Sequence, residues 1–352
     1  MPISNKFNLP PVVVNALTVD NYSRGDSDIS VTSLIDSPRV GILRNHHHDK
    51  IEKDAVDFLW SRFGTSVHNM FENATADDST CISEERLFHT TQDWKVSGAI
   101  DLQHVESDGV IVSDYKVTSV WSVINDKVEW HRQLNSYAWL VRHAKQLTVK
   151  QLRIIAILRD WQRRKAEEGG NYPESPIMII DIPLWTEKDQ DEYVESRVAL
   201  HQSAHMDWDF AEMLPQCSDS ERWVKPTTYA VKKKSRVRAI KIHDSYESAE
   251  EHAIEMGKEH FVEERKGSAT RCEQNWCGVA GWCDQYQGEI NARSESCRPQ
   301  NDCHLSTHKA RWVEGNLKSS RPDRVYIYIS GRAHAFTQHA DLAVRTTRTN
   351  RN

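Results

Sequence analysis

Two stretches of the chain alternate apolar and polar residues with the period of two that a strand demands. Residues 96–102 read Val-Ser-Gly-Ala-Ile-Asp-Leu, and residues 110–116 read Val-Ile-Val-Ser-Asp-Tyr-Lys. Glu106-Ser107-Asp108-Gly109 lies between them, and Asp-Gly is a strong turn signal. The pattern predicts an antiparallel hairpin. Strand residues two apart share a face, so Asp114 and Lys116 point the same way. With the loop at Glu106–Gly109, Asp101 falls opposite Asp114. Ahead of the hairpin, Val56, Leu59, Phe63, Val67 and Phe71 recur at helical spacing, which predicts an amphipathic helix over 54–72 packed along that stripe. Gly64, His68 and Glu72 occupy a neighbouring face. Behind the hairpin, Trp130, Leu134, Ala138 and Val141 mark a second helix near 121–146. Gln133 and Tyr137 sit one turn apart on it.

The remaining periodicity completes a fold class. Ser30–Leu43 opens with helix-start chemistry. Gln151–Leu158 and Ile177–Ile182 read as strands, separated by a polar loop over 162–175 that holds Gly169, Gly170 and Pro173. Thr186-Glu187-Lys188-Asp189 resembles a capping box for a helix to about His205. Strands and helices in this order predict an α/β fold: a mixed central β-sheet flanked by helices. No internal repeat is evident.

Composition narrows the class without naming a function. The chain has 352 residues and a formal charge of -6, long enough for one large or two modest domains. No apolar run reaches membrane length, and Met1–Lys6 lacks the apolar core of a signal peptide. A cytoplasmic protein without membrane contact is expected. From His304 onward there are nine Lys/Arg against three Asp/Glu, a net of +6, so the first 303 residues carry -12. That break predicts three regions: a loose lead-in over 1–28, a main domain over 29–287, and a poorly ordered basic tail over 288–352. The tail could also serve as a phosphate-binding arm. A second basic stretch, Tyr229–His243, interleaves Lys232, Lys233, Lys234, Arg236, Arg238 and Lys241 with apolar residues. It reads either as a solvated hairpin or as an arm touching phosphates.

The hairpin carries the chemistry. Carboxylates placed as cross-strand partners repel, and a divalent metal between them removes that penalty. Magnesium is held by one or two carboxylates together with water and phosphate. The segments Gly64-Thr65-Ser66-Val67-His68, Gly98-Ala99-Ile100-Asp101, Asp114-Tyr115-Lys116 and Gln133-Leu134-Asn135-Ser136-Tyr137 occur in that order. In content and order they resemble the motifs of the PD-(D/E)XK nuclease superfamily, and within it the RecB-like and Cas4-like exonucleases, some of them phage-encoded. The resemblance covers roughly residues 30–145 and continues more weakly to about 287. It implies a restriction-endonuclease-like core. It also implies Mg²⁺ or Mn²⁺ held by His68, Asp101, Asp114 and the carbonyl of Tyr115, with Lys116 catalytic and Gln133 and Tyr137 supporting site and substrate. The implied activity is metal-dependent DNA exonuclease action in recombination, repair or phage replication, in the host-cell cytoplasm if phage-encoded. The implied partners are DNA, end-containing or single-stranded, and a single-strand-binding or recombination protein. A structure-specific endonuclease or resolvase, and a catalytically idle DNA-binding module of the same fold, are the alternatives.

Seven cysteines pose a separate question. Cys272, Cys277 and Cys283 cluster with spacings x4 and x5, while Cys81, Cys217, Cys297 and Cys303 lie apart. Clustered cysteines in a cytosolic protein suggest metal rather than disulfides. Iron–sulfur nucleases of the resembled group carry three clustered cysteines after the core and one before it. Here the upstream neighbourhood is Ile35-Asp36-Ser37-Pro38-Arg39, with serine where that cysteine would stand. A [4Fe-4S] cluster, zinc, and free thiols packing with Trp276 and Trp282 all remain open. The expectation is that the three cysteines meet near Ser37 and close the end of the core onto its start.

Overall fold

The computed structural model describes residues 1–19, 25–75, 78–125, 127–206, 213–274, 276–296, 325–329 and 332–336. Helix α1 (Pro38–His46) precedes α2 (Leu59–Thr75), and three strands follow: β1 (Cys81–Thr91), β2 (Trp94–Glu106) and β3 (Gly109–Thr118). Next come α3 (Val128–Leu140), β4 (Val149–Leu158), β5 (Ile177–Ile182) and α4 (Glu187–Met206). The central sheet is mixed, as the sequence pattern implies. β1, β2 and β3 run antiparallel in turn, β4 is parallel to β3, and β5 is antiparallel to β4. Parallel β3 and β4 need a crossover, and α3 supplies it.

The hairpin register is the expected one. Glu106 pairs with Gly109 and Leu102 with Ser113, so the next step along the ladder sets Asp101 against Asp114. The pairing ends there. On the same side of β2, a two-residue strand at Ile29–Ser30 takes over at Val96 and Ser97. Residues 98–101 therefore have no strand partner on that side. The sheet parts at the two aspartates and leaves a cleft.

Helix packing is explained only in part by the stripes. Trp130, Leu134, Ala138 and Val141 are all buried, as expected of α3. The α2 stripe behaves differently: Val67 is buried and Phe71 stacks on Tyr115 at 4.5 Å, but Leu59 and Phe63 are exposed. The first turn expected at 54–58 is a separate 3₁₀ segment, Ala55–Phe58, capped by Asp54. The polar loop holds a short helix at Arg163–Glu167. Strand β1 had no sequence forecast, because Ser83-Glu84-Glu85-Arg86 breaks the alternation.

Buried polar groups tie α4 to the start of the domain. Arg197 Nε donates to the carbonyl of Leu34 (2.9 Å), and Arg197 Nη2 donates to the carbonyl of Asp36 (2.5 Å). The ring of His201 reaches the same Leu34 carbonyl through Nε2 at 3.2 Å. Burial first, then nearby Arg197, lowers the His201 pKa to about 4. The neutral ring is thus favoured in the fold. As pH falls below about 6.5 the unfolded chain protonates this histidine and the folded chain does not, so stability drains away until about pH 4, by at most roughly 3 kcal/mol. Urea unfolding at pH 7 and pH 4.5 checks this: a His201→Gln variant is expected to lose less stability between the two than wild type.

Beyond α4, β6 (Thr228–Lys233), β7 (Lys241–His243), α5 (Tyr246–Met256) and β8 (His260–Arg265) form a three-stranded sheet with a helix. The basic stretch is therefore no bare hairpin. Lys232 and Lys233 pair with Glu263 and Glu259 at 2.7 and 3.0 Å. The chain divides into two compact units, Met1–Glu295 and Ser296–Asn352. In the second, Val325–Ile329 and Arg332–Phe336 pair antiparallel. A helix over Asp284–Ser296 takes in the start of the expected tail, and most of the remainder, with Cys297 and Cys303, lies outside the described residues. Among the described residues no helix is long and apolar enough to cross a membrane.

Candidate active site

The parting of β2 from β3 opens a cleft of about 680 Å³, whose walls include His68, Asp101, Asp114, Lys116, Gln133 and Tyr137. Every side chain expected at the site thus faces one space. Tyr115 turns its ring to Phe71 of α2. By strand alternation Asp114 and Lys116 turn the other way, toward Gln133 and Tyr137, which are hydrogen-bonded to each other at 2.9 Å (Nε2 to OH).

The two aspartates are buried, Asp101 at 6% and Asp114 at 1% exposure. Asp101 Oδ2 accepts from the Tyr115 amide at 2.7 Å, and its Oδ1 faces His68 Nδ1 at 3.6 Å. Burial, then the charge of Asp114, pushes the Asp101 carboxyl up to about 8. Lys116 Nζ stands 2.5 Å from Asp114 Oδ2. The ammonium lies off the hydrogen-bonding direction, and that oxygen has no hydrogen-bond partner among the described residues. A buried acceptor without a donor is costly.

His68 meets acceptors on both ring nitrogens: Glu84 Oε1 at 3.2 Å from Nδ1, and the Tyr115 carbonyl at 3.2 Å from Nε2. Both nitrogens must donate, so the ring is drawn toward imidazolium. Burial alone would lower its pKa, but Glu84, Asp101 and Asp114 together raise it.

Glu84 is the residue that sequence reasoning missed. It lies in β1 between the pairs Ser83–Leu102 and Glu85–Ile100, opposite Asp101. Its φ is +51°, a left-handed conformation that costs a non-glycine residue roughly 1–3 kcal/mol. From that position its carboxylate reaches His68 Nδ1 at 3.2 Å. One ligand atom each from His68, Glu84 and Asp101 lies within 4.8 Å of the others. Asp114, expected in the metal set, stands outside this trio and is held by Lys116. The only sequence signal for Glu84 is an acidic pair in a stretch that does not alternate.

The donor set fits a hard divalent cation. Carboxylate oxygens, a backbone carbonyl and an imidazole suit Mg²⁺ or Mn²⁺. The Asp114 oxygen that lacks a hydrogen-bond donor and the raised Asp101 carboxyl show that the described residues alone do not stabilise two ionised carboxylates here.

A glycine fixes the wall across from the metal residues. A Cβ at Gly98 would lie 2.7 Å from Leu140 Cδ1 and 2.8 Å from Tyr137 Cε1. Gly98→Val is therefore expected to destabilise the fold by about 1–3 kcal/mol and to displace Tyr137 from the cleft. A denaturation midpoint indistinguishable from wild type would contradict this packing.

The description of the PD-(D/E)XK nuclease superfamily matches residues 48–284. The chain belongs to that superfamily. Among solved structures it is similar to a protein designated SSO0001, at 16% identity over 51% of this chain and 79% of that one, with a TM-score of 0.37. It is also similar to an alkaline exonuclease (LHK-Exo) from Laribacter hongkongensis, at 8% identity over 52% and 90% of the two chains, with a TM-score of 0.29. A structure of LHK-Exo in complex with dAMP gives 10% identity over 53% and 94%, again at 0.29. No curated protein matches the chain.

Proposed function

We propose that the chain is a Mg²⁺- or Mn²⁺-dependent deoxyribonuclease that hydrolyses phosphodiester bonds from DNA ends, serving recombination, repair or phage replication. The observation that carries this reading is the buried pair Asp101 and Asp114, with Lys116 beside it, lining one cleft. His68, Asp101, Asp114 and the Tyr115 carbonyl would hold the ion, with Glu84 adjoining. A bound divalent ion supplies Lewis-acid chemistry at the scissile phosphate.

The chain's own residues supply the rest. Lys116, anchored by Asp114, orients the attacking water and offsets charge as it develops on the phosphate oxygens. The Tyr115 amide holds Asp101 by one oxygen and leaves the other turned toward the cleft. Gln133 and Tyr137 brace each other and offer polar groups to a neighbouring phosphate. Lys145 and Gln103 both engage Glu85, at 2.6 and 2.7 Å, which keeps that acid away from the substrate's charge.

The test is cleavage of end-labelled single-stranded DNA, end-labelled duplex and a closed circle, with and without Mg²⁺ or Mn²⁺. Terminal release from linear substrates with the circle spared is expected. Cutting of the circle would favour the endonuclease or resolvase. Binding without cleavage in either metal would make the chain an idle module.

A further inference from the structure

Cys217 joins Cys272, Cys277 and Cys283 around one small cavity, and its Sγ lies 3.0 Å from Ser37 Oγ. Of the two tryptophans expected to pack with them, Trp282 joins their apolar cluster and Trp276 is exposed. Another exposed tryptophan stands beside the cleft. Trp60 is the second residue of α2, 53% exposed, and it precedes Ser61 in the cleft wall.

The Trp60 indole is held in place without being covered. The Arg159 guanidinium lies over it, 4.8 Å from the ring centre, and Phe63 meets it in a T-shape at 6.4 Å. Arg159 follows β4 directly, and its amide donates to the carbonyl of Thr118 at 2.9 Å. Thr118 ends β3, two residues beyond Lys116. The backbone of Arg159 is thus fixed to the strand that carries Asp114 and Lys116. Among the described residues no carboxylate pairs with its guanidinium. An open aromatic ring beside an uncommitted cation suits a nucleotide, whose base stacks and whose phosphate pairs.

A row along α2 joins this indole to the cleft. Trp60, Gly64 and His68 recur every fourth residue, which sets them on one side of the helix. Eight residues of helix span about 12 Å. Stacked nucleotides rise about 3.4 Å each, so the row is as long as the first few nucleotides of a strand. Gly64 keeps the middle of the row clear: it lines the cleft, and a Cβ there would meet no atom within 4 Å. Glycine weakens a helix interior, and no neighbouring atom requires it here.

We propose that this row is a shelf for unpaired DNA: a base stacks on the Trp60 indole, its phosphate pairs with Arg159, and the strand runs past Gly64 to the aspartates. The shelf rests on the nuclease reading in naming DNA as its occupant. A base inside a duplex already stacks on its neighbours and has no free face to offer. The shelf therefore selects a strand that is unpaired where it enters the cleft.

The test is binding of fluorescently labelled single-stranded DNA to the full chain in EDTA, followed by cleavage in Mg²⁺. Trp60→Ala should weaken binding by about 5- to 150-fold, the factor that one base–aromatic stack is worth, and Trp60→Phe should recover most of it. Strands carrying a single abasic nucleotide, moved stepwise from the end, should reveal a position that weakens wild type but leaves Trp60→Ala unmoved. Arg159→Ala should flatten the dependence of log affinity on log salt by about 0.7, one phosphate contact on a single strand. Gly64→Leu should fold at least as stably as wild type, since leucine is the better helix former, yet bind single strand weakly. Trp276→Ala removes an exposed indole elsewhere and should bind as wild type does.

No single-strand binding by wild type would overturn the shelf, as would unchanged binding in Trp60→Ala or a loss that no abasic position reproduces. A wild-type dimer that Trp60→Ala splits would also overturn it, making the indole a contact between copies. If the abasic position is found but wild type cleaves nothing in Mg²⁺, the shelf stands and the nuclease reading falls. If wild type cleaves and Trp60→Ala matches it in binding and rate, the nuclease reading stands and the shelf falls.

Discussion

Lys116→Ala and Asp114→Ala are each expected to slow DNA cleavage by about 10²–10³-fold or more, the usual cost of losing one preorganised electrostatic group. The loss should fall on kcat rather than KM, since both residues are placed to act on charge that develops during reaction. Their effects on the fold should differ. Asp114 is 1% exposed and Lys116 is its only ion-pair partner among the described residues. Removing the lysine leaves a buried charge alone, a change that costs roughly 3–5 kcal/mol in comparable pairs. A Lys116→Met/Asp114→Asn double variant removes both charges together and should recover most of that stability while remaining inactive. Single-turnover cleavage of end-labelled duplex, with thermal unfolding of each variant alongside, separates chemistry from folding. Near-wild-type rates in a folded Lys116→Ala protein would remove the lysine from the mechanism.

The parts of the site that were legible in the sequence are those written in a regular period. Alternation over 96–102 and 110–116 sets the strands, and the Asp-Gly turn sets their register. Together they place Asp101 opposite Asp114, as Leu102–Ser113 pairing bears out. The α3 stripe succeeded because Trp130, Leu134 and Ala138 all pack into the main core. The α2 stripe succeeded only at its C-terminal end. Leu59 and Phe63 lie exposed, and a hydrophobic pattern cannot say which part of its stripe finds a partner. Glu84 was illegible for a different reason: its backbone sits at φ +51°, and nothing in Ser83-Glu84-Glu85 announces that geometry. Cys217 was one of several distant cysteines that could have reached the 272–283 group, and the sequence could not choose among them. Its meeting with residues 272–283 depends on how Gln285 and Arg39 fold distant segments together, a tertiary fact that no local spacing encodes.

Asp101→Asn should make the metal-free protein more stable and abolish its metal-dependent cleavage. Asp101 is buried beside Asp114, and these two causes raise its carboxyl to about 8, against about 3.9 in an unfolded chain. A raised carboxyl binds its proton more tightly in the folded state. Its contribution to stability is fully present below about pH 4 and is lost as pH rises through about 8. Wild type without divalent ions should therefore lose stability across that window, and the asparagine variant should lose less. Asparagine keeps an oxygen to accept from the Tyr115 amide, so the 2.7 Å bond that orients this side chain survives. A divalent ion reverses the ranking, because it stabilises the ionised carboxylate that burial disfavours. At a hundredfold excess over its Kd, Mg²⁺ should stabilise wild type by about 2.7 kcal/mol and the variant by much less. Metal binding should also release protons and tighten as pH rises, since both the Asp101 carboxyl and the His68 ring must give up protons to ligate. Thermal unfolding in EDTA and in Mg²⁺, from pH 5 to pH 8.5, reads all of this. An asparagine variant no more stable than wild type in EDTA at pH 8, yet equally stabilised by Mg²⁺, would show that Asp101 neither carries the buried charge nor holds the ion.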